Sequence, residues 1–135
     1  MKDRLSSTLN RGLTTQITRF EDIKAWKEAR TLVTEIYGIV RNSKSFNQDY
    51  GLREQIQRTV VSVMSNIAEG YSRNTDKEFL QFLYIARGSV SEVQSLLYVA
   101  VDLKYIPEGT FNGAYNKAAE VAKLLNGFIK YLKKD

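Results

Sequence analysis

The chain has 135 residues, 43% of them hydrophobic and 26% charged, a composition typical of one globular domain with its own core. It contains no cysteine and no histidine, so a disulfide, a thiolate site and a Ser–His–Asp triad are excluded, and a zinc site would lack its usual ligands. No apolar run approaches the length of a membrane span, and the acidic residues do not cluster as a magnesium site requires.

The net charge of +5 favours an anionic partner, with RNA or DNA as the first candidate. A lysine excess that serves only solubility is the alternative. Residues 1–19 are rich in Ser, Thr and Arg and poor in acid, and we interpret them as a flexible basic arm of the kind that follows a phosphate backbone. A mitochondrial transit peptide has a similar composition, so that interpretation stays open.

The first predicted helix opens near Phe20, with Glu21 and Asp22 in its first turn, where the helix dipole favours acids. Apolar residues follow at steps of three and four and predict one buried stripe. Its members are Trp26, Ala29, Val33, Ile36, Tyr37 and Val40. The segment RNSKSFNQDYG, residues 41–51, breaks this period and is predicted to be a loop.

Three more helices follow. The second runs from about Leu52 to Ser72, and Asp49 is placed to cap it. Thr75 and Glu78 form a capping box at the start of the third, which spans about 28 residues, or about 40 Å at 1.5 Å per residue. Pro107 ends the third helix and lies near the first turn of the fourth.

Apolar stripes also mark the third and fourth predicted helices. On the third, the stripe consists of Phe79, Phe82, Leu83, Ala86, Val90, Val93, Leu97 and Ala100. On the fourth, it consists of Phe111, Ala114, Tyr115, Ala118, Val121, Leu125, Phe128 and Leu132. No segment alternates with period two, so we predict that residues 20–135 form an all-α, antiparallel, up-down four-helix bundle.

A row of polar residues lies on the second predicted helix, opposite its apolar arc. The row consists of Gln55, Arg58, Ser62, Ser65, Asn66, Glu69 and Arg73. Short polar side chains have weak helix propensity, but they allow another helix to approach closely. The third predicted helix carries a matching group, Gly88, Ser89 and Glu92, and a glycine in mid-helix costs about 1 kcal/mol relative to alanine.

We therefore expect Gly88 and Ser89 to meet the face between Ser62 and Asn66, within one subunit or across an interface between subunits. A ligand-binding row and a catalytic row are the alternatives, since a Ser–Glu–Arg constellation can in principle bind phosphate. The segment AEGYSR has Gly70 as its single glycine, however, and resembles no phosphate-binding loop. We favour packing, because polar rows in helical bundles are usually packing devices.

Basic residues are the second candidate for a functional site, as contacts to phosphate groups. Those predicted to bind nucleic acid are Arg53, Arg58, Arg73, Lys77, Arg87, Lys130, Lys133 and Lys134. The lysines at the end of the chain, which Lys123 precedes on the same helix, also suit a helix C-terminus, where positive charge is favoured in any case. Tyr71 and Tyr84 are candidates for stacking on bases, and both also fit the core pattern.

Three segments resemble the four-helix-bundle proteins encoded in intervening sequences of bacterial 23S ribosomal RNA genes. They are FEDIKAWKEA, LREQIQRTVVSVMSNIAEGYSR and EFLQFLYIARGSVSE. The first motif that carries the resemblance comprises Gln55, Arg58, Ser62, Asn66, Ile67, Ala68, Glu69 and Gly70. The second comprises Phe82, Ile85, Ala86, Gly88, Ser89 and Glu92. Only the N-terminal arm falls outside the similarity.

That family is similar in fold to the accessory variability proteins of diversity-generating retroelements, which form homopentamers with positive surfaces and bind a reverse transcriptase and nucleic acid. The resemblance implies a non-enzymatic, bacterial, cytoplasmic homo-oligomer, a pentamer by this analogy, that binds RNA or another nucleic acid and needs no cofactor or metal. Together with the polar row, it places the packing or oligomer interface at Gln55, Ser62, Asn66, Glu69, Gly70, Gly88, Ser89 and Glu92. Two alternatives remain open: a retroelement subunit that binds a reverse transcriptase and its template RNA or cDNA, and a purely structural interaction protein.

Overall fold

The computed structural model describes residues 17–134, and within that range the chain forms helices and no strands. A 3₁₀ turn at Phe20–Asp22 is followed by five α-helices. They are α1 (Lys24–Asn42), α2 (Lys44–Gln48), α3 (Tyr50–Tyr71), α4 (Asp76–Asp102) and α5 (Glu108–Leu132). The all-α prediction is confirmed, and the four predicted helices correspond to α1, α3, α4 and α5.

The entry into α1 differs from the prediction. Glu21 and Asp22 lie in the 3₁₀ turn, before α1 begins at Lys24, so they are not acids of its first turn. The Asp22 carboxylate instead accepts hydrogen bonds from the backbone N–H and the hydroxyl of Thr18, both at 3.1 Å. The hydrogen bond from the Thr18 backbone is the main cause that lowers the pKa of Asp22.

The N-terminal part of the described chain already packs against the bundle. Ile17 is buried and belongs to the hydrophobic core. Packed residues therefore begin before Phe20, where the sequence placed the boundary of the basic arm. The rest of the predicted arm, residues 1–16, lies outside the described residues.

The prediction of a loop over residues 41–51 is wrong, because α1 continues to Asn42, α2 forms within the segment and α3 begins at Tyr50. Ser43 caps α2 by accepting a hydrogen bond from the Phe46 backbone N–H at 3.2 Å, and Phe46 is fully buried. The Ser43 hydroxyl also donates to the carbonyl oxygen of Tyr105 at 2.8 Å, which anchors this end to the connection between α4 and α5. A five-residue helix with one apolar side chain has no period that the sequence could show.

The caps of the two central helices are confirmed. The Asp49 carboxylate accepts from the Leu52 backbone N–H at 3.1 Å at the start of α3. The Thr75 hydroxyl accepts from the Glu78 backbone N–H and donates to the Glu78 carboxylate, both at 3.1 Å, at the start of α4. Pro107 occupies the N-cap of α5, and α4 is 27 residues long, close to the predicted length.

The buried faces follow the predicted stripes with a few differences. Leu32 is fully buried although the predicted stripe of α1 omitted it, while Tyr37 of that stripe is 37% exposed. On α5, Ile129 is buried and its neighbour Phe128 is only partly buried. Where two apolar residues are consecutive, the sequence does not show which of them is buried, because adjacent positions differ by about 100° around the helix and either can border the core.

The long helices pack around one continuous core and form a helical bundle. α1 contacts α3 and α5, and α4 contacts the same two helices. Along each contact between successive long helices of the α3–α4–α5 series, residue numbers rise on one helix as they fall on the next. Thr59 is the one buried polar residue within residues 17–134, and it lies on the α3 side that faces α4.

Candidate functional site

The polar row on α3 meets α4 through a pair of serines. The hydroxyl oxygens of Ser62 and Ser89 lie 2.6 Å apart, and Ser62 Oγ is also 2.8 Å from the carbonyl oxygen of Thr59. A hydroxyl has one proton and can accept two hydrogen bonds, so Ser62 can donate to Thr59 while Ser89 donates to Ser62. The predicted meeting of Ser89 with the Ser62 face is confirmed within one chain.

Two further contacts extend this seam, and one of them differs from expectation. The Thr59 hydroxyl donates to the Glu92 carboxylate across the same helix pair at 3.3 Å. The Asn66 side-chain amide donates to the carbonyl oxygen of Ser62 at 2.8 Å, within α3 itself. Asn66 therefore satisfies its own helix and makes no hydrogen bond to α4 among the described residues.

The two glycines of the predicted interface have opposite surroundings. A Cβ on Gly70 would lie 2.7 Å from the Phe82 Cβ and 2.8 Å from the Phe79 Cδ1, so the two helices approach closely at Gly70. A Cβ on Gly88 would meet no atom within 4 Å. The prediction that Gly88 packs closely is wrong within the chain, because Gly88 lies on the outer face of α4.

The remaining members of the polar row face outward. Gln55 and Ser65 are exposed. Glu69, which was predicted to be part of the packing interface, accepts from Arg73 just beyond the end of α3 at 2.8 Å and makes no hydrogen bond to α4 among the described residues. Nothing in this arrangement gathers a nucleophile, a base and an oxyanion donor in one place among the described residues.

The predicted phosphate-binding arginines of α3 and of the turn that follows it are already engaged by their own neighbours. Arg58 pairs with Glu54 at 2.9 Å and Arg73 pairs with Glu69. Arg53 donates to the carbonyl oxygen of Asn47 at 3.0 Å and to its side-chain oxygen at 3.3 Å. The carboxylates offset the charges of Arg58 and Arg73 locally, whereas Arg53 keeps its full charge because its partners are neutral oxygens.

The cations of α4 and α5 have a different environment. Arg87 donates to the side-chain oxygen of Asn126 at 3.0 Å, and its guanidinium lies 5.3 Å from the Tyr84 ring centroid. This contact joins α4 to α5 and leaves Arg87 without a carboxylate partner within residues 17–134. The ring contact of Phe79 with Phe128, at 5.4 Å, places the start of α4 beside the end of α5.

That register collects separate parts of the sequence on one surface, which we call the α4–α5 face. Its exposed cations are Lys77, Arg87, Lys123, Lys130, Lys133 and Lys134. Of the three acids that lie in these two helices beyond their first turns, Glu92 and Glu120 have partners elsewhere, whereas Asp102 at the end of α4 is exposed. Glu92 bonds Thr59 on the α3 side and Glu120 pairs with Lys117 at 3.5 Å, while Glu78 completes the cap of α4.

An ionic cluster between α1 and α5 was not found from the sequence. Lys117 forms a hydrogen-bonded ion pair with Glu28 across the two helices and a longer one with Glu120. The hydrogen bond from Lys117 lowers the pKa of Glu28, and the same bond raises the pKa of Lys117. Burial raises the pKa of Glu35, and the positive charge of Lys117 opposes that rise. No sequence signal links residues so far apart.

The described residues hold no group of three or more acids that could bind a metal ion. None of the helices between residues 17 and 134 is long and apolar enough to cross a bilayer. A shallow groove follows α1 at Trp26, Lys27, Arg30, Thr31 and Thr34. Both threonine hydroxyls there donate to carbonyl oxygens one turn earlier in the helix, so their protons are used within α1.

These features define a small, basic helical-bundle protein with a polar seam inside and a cationic face outside. The chain belongs to the family of 23S rRNA-intervening sequence proteins, whose profile matches residues 21–127. The family resemblance found in the sequence is thereby confirmed. No curated protein matches the chain.

The fold recurs in a crystal structure from Bacteroides thetaiotaomicron, described as a protein with unknown function from the S23 ribosomal protein family. The two structures superpose with a TM-score of 0.71 at 23% sequence identity. The similarity covers 78% of this chain and 98% of the other. At this identity it bears on the fold alone.

Proposed function

We propose that this protein is a non-enzymatic, homo-oligomeric nucleic-acid-binding protein, with RNA as its first candidate partner. The observation that carries the proposal is the α4–α5 face, where two packed helices carry six exposed cations, while Glu92, Glu120 and Glu78 of the same helices are bound to other partners. Phosphate groups bind such a surface by releasing counterions, so affinity does not depend on a read sequence. A role in the bacterial cytoplasm is part of the same proposal.

The finer architecture is also a proposal: α1, α3, α4 and α5 form an antiparallel, up-down four-helix bundle. Short connections favour it, since α3 and α4 are joined by residues 72–75 and α4 and α5 by residues 103–107. The opposite direction of residue numbers along their contacts supports the same arrangement. Distances measured between spin labels placed at the ends of the four helices would test this arrangement.

We further propose that the outer face of α4 carries the contact between subunits, with a homopentamer as the expected particle. Ile85, Val99 and Leu103 recur on this face and are 52%, 40% and 52% exposed, and Gly88 between them leaves open space. Exposed apolar side chains on one helix face are typical of an interaction site. The native mass of the particle tests this directly.

Nucleic-acid binding is tested by measuring retention of RNA and DNA on filters at about 50 mM and about 200 mM salt. We expect binding that weakens steeply with salt for the native chain. The double variant Lys130→Glu and Lys133→Glu should lose most of it, whereas the control variant Lys27→Glu and Lys44→Glu makes the same change in net charge on exposed lysines of α1 and α2. Absence of retention at low salt, or equal losses in both variants, contradicts the proposal.

A second candidate function is favoured by the same exposed apolar positions on α4. They would also suit a protein partner such as a reverse transcriptase, with the chain acting as an accessory subunit. Co-purification after expression with the neighbouring genes distinguishes the two functions. A stoichiometric complex with a reverse transcriptase, lost on Ile85→Glu but kept with Lys130→Glu, favours the second one.

A further inference from the structure

The α4–α5 face has a second end that carries aromatic rings instead of cations. The Tyr98 ring lies 4.8 Å from the ring centroid of Phe111 and 5.8 Å from that of Tyr115, yet Tyr98 remains 50% exposed. Eleven residues separate it from Arg87 along α4, which corresponds to about 16 Å and about three turns. Tyr98 therefore lies on the same side of α4 as Arg87.

Small side chains connect the two ends. Ser91 on α4 and Ala119 on α5 are both exposed and lie between the Arg87–Asn126 contact and the aromatic end. Neither side chain is long enough to cover the backbone of the other helix. The face is thus a trough with positive charge at one end and aromatic surface at the other, and the partly buried Gln94 bridges its two helices by donating to the Tyr115 carbonyl oxygen at 3.5 Å.

We propose that this trough binds single-stranded nucleic acid in preference to a duplex, with phosphates along the cationic end and an unpaired base stacked on Tyr98. The inference rests on the proposed nucleic-acid-binding function and adds the class of strand that is bound. Cations that follow a backbone, combined with aromatic rings that take base faces, are the elements by which proteins hold single strands. Both are present here in one trough.

A duplex would use only half of this surface. Its phosphates could contact the lysines of α5, but its base faces are stacked inside the helix and cannot reach Tyr98. Tyr71, which the sequence offered as a stacking residue, is 2% exposed, and the Tyr84 ring is partly buried beside Arg87. Tyr98 is thus the ring of this face with the most surface free for a base.

The test measures fluorescence anisotropy of labelled oligouridylate and oligo(dT) of about 12 nucleotides, and of a duplex of the same length, at low salt. Tyr98→Leu keeps an apolar side chain against Phe111 and removes the aromatic face. Tyr50→Leu is the control, because Tyr50 is 65% exposed at the start of α3 and outside the trough. Thermal melts of both variants confirm that the fold is retained.

We expect Tyr98→Leu to weaken single-strand binding about tenfold, to leave duplex binding unchanged and to differ from Tyr50→Leu in this respect. Equal affinity of the native chain for both probes, or an equal effect of Tyr98→Leu on both, overturns the inference while the proposed function stands. If the native chain binds neither probe, the inference and the proposed function are both overturned. Lys130→Glu should weaken the binding of both probes to the same extent, because it removes a phosphate contact.

Discussion

Ser62 and Ser89 share a hydrogen bond of 2.6 Å between α3 and α4, on the flank of the core where two helices come together. Neighbouring Thr59 and Glu92 repeat the arrangement one turn away. Short hydroxyl groups let the helix backbones approach and satisfy each other at the same time, which leucines or lysines at these positions could not do. The polar row is therefore explained by packing between these two helices.

This pairing predicts a measurable coupling. Ser62→Ala and Ser89→Ala should each lower the free energy of unfolding. The decrease in the double variant should be smaller than the sum of the two single decreases by about 1 kcal/mol. The reason is that either single substitution already removes the bond between the two side chains. Urea unfolding of the four proteins measures the coupling. A value of zero would mean that each serine serves only its own helix.

The close approach at Gly70 predicts an effect on stability in the opposite direction from an ordinary helix glycine. Gly70→Ala should destabilise the fold by about 1–3 kcal/mol, because its Cβ would overlap the Phe82 Cβ, which is fixed to the backbone of α4. Gly127→Ala on α5 meets no atom within 4 Å and should stabilise by about 0.5–1 kcal/mol. Urea midpoints of both variants test the pair, and stabilisation by both would contradict the packing at Gly70.

The comparison of the two glycines on α3 and α4 indicates what the sequence could predict. The sequence showed that polar and small residues line two helix faces, and the contact between these faces at Ser62 and Ser89 was predicted from it. It could not tell that Gly70 is covered and Gly88 is open, because that depends on the register and separation of two helices. The period of apolar residues carries no information on either quantity.

The cationic surface and the ionic cluster show the same limit. Arg87 and Lys130 were recognised as cations, but the contact of Arg87 with Asn126, on the helix that carries Lys130, follows from the register of α4 against α5. The Lys117–Glu28 pair joins residues 89 positions apart. Two ordinary charged residues at that separation have no motif, so only the folded structure brings them together. Caps were predictable because their residues are three positions apart.

The two glutamates of α1 near Lys117 predict opposite responses to pH. The folded-state pKa of Glu28 is lowered, so its ion pair stabilises the fold above the ordinary glutamate value of 4.5 and is lost as the pH falls through the folded-state pKa. The folded-state pKa of Glu35 is raised, and its Oε1 is buried with no hydrogen-bond partner within residues 17–134. The contribution of Glu35 to stability is therefore favourable below pH 4.5 and is lost as the pH rises through its folded-state pKa.

Amide substitutions separate these two contributions. Glu28→Gln should lower the melting temperature by about 2–4 °C at about pH 7 and have little effect at about pH 3. Glu35→Gln should raise the melting temperature at about pH 7, because no buried charge remains, and also have little effect at about pH 3. Thermal unfolding across this range is the measurement. A decrease on Glu35→Gln at neutral pH would show that its carboxylate is favourably paired.

The open space at Gly88 allows assembly to be separated from folding. A leucine at Gly88 has room within the chain, so Gly88→Leu should leave the subunit folded, but the larger side chain would hold another copy away from the outer face of α4. Gly113→Leu is the matched control, since Gly113 is also an exposed mid-helix glycine with no atom within 4 Å of its Cβ position, and it lies on α5. Native mass spectrometry should show an oligomer for the native chain and for Gly113→Leu, and smaller particles for Gly88→Leu. Identical particles for all three proteins would place the subunit contact elsewhere, and a native monomer would remove the need for one.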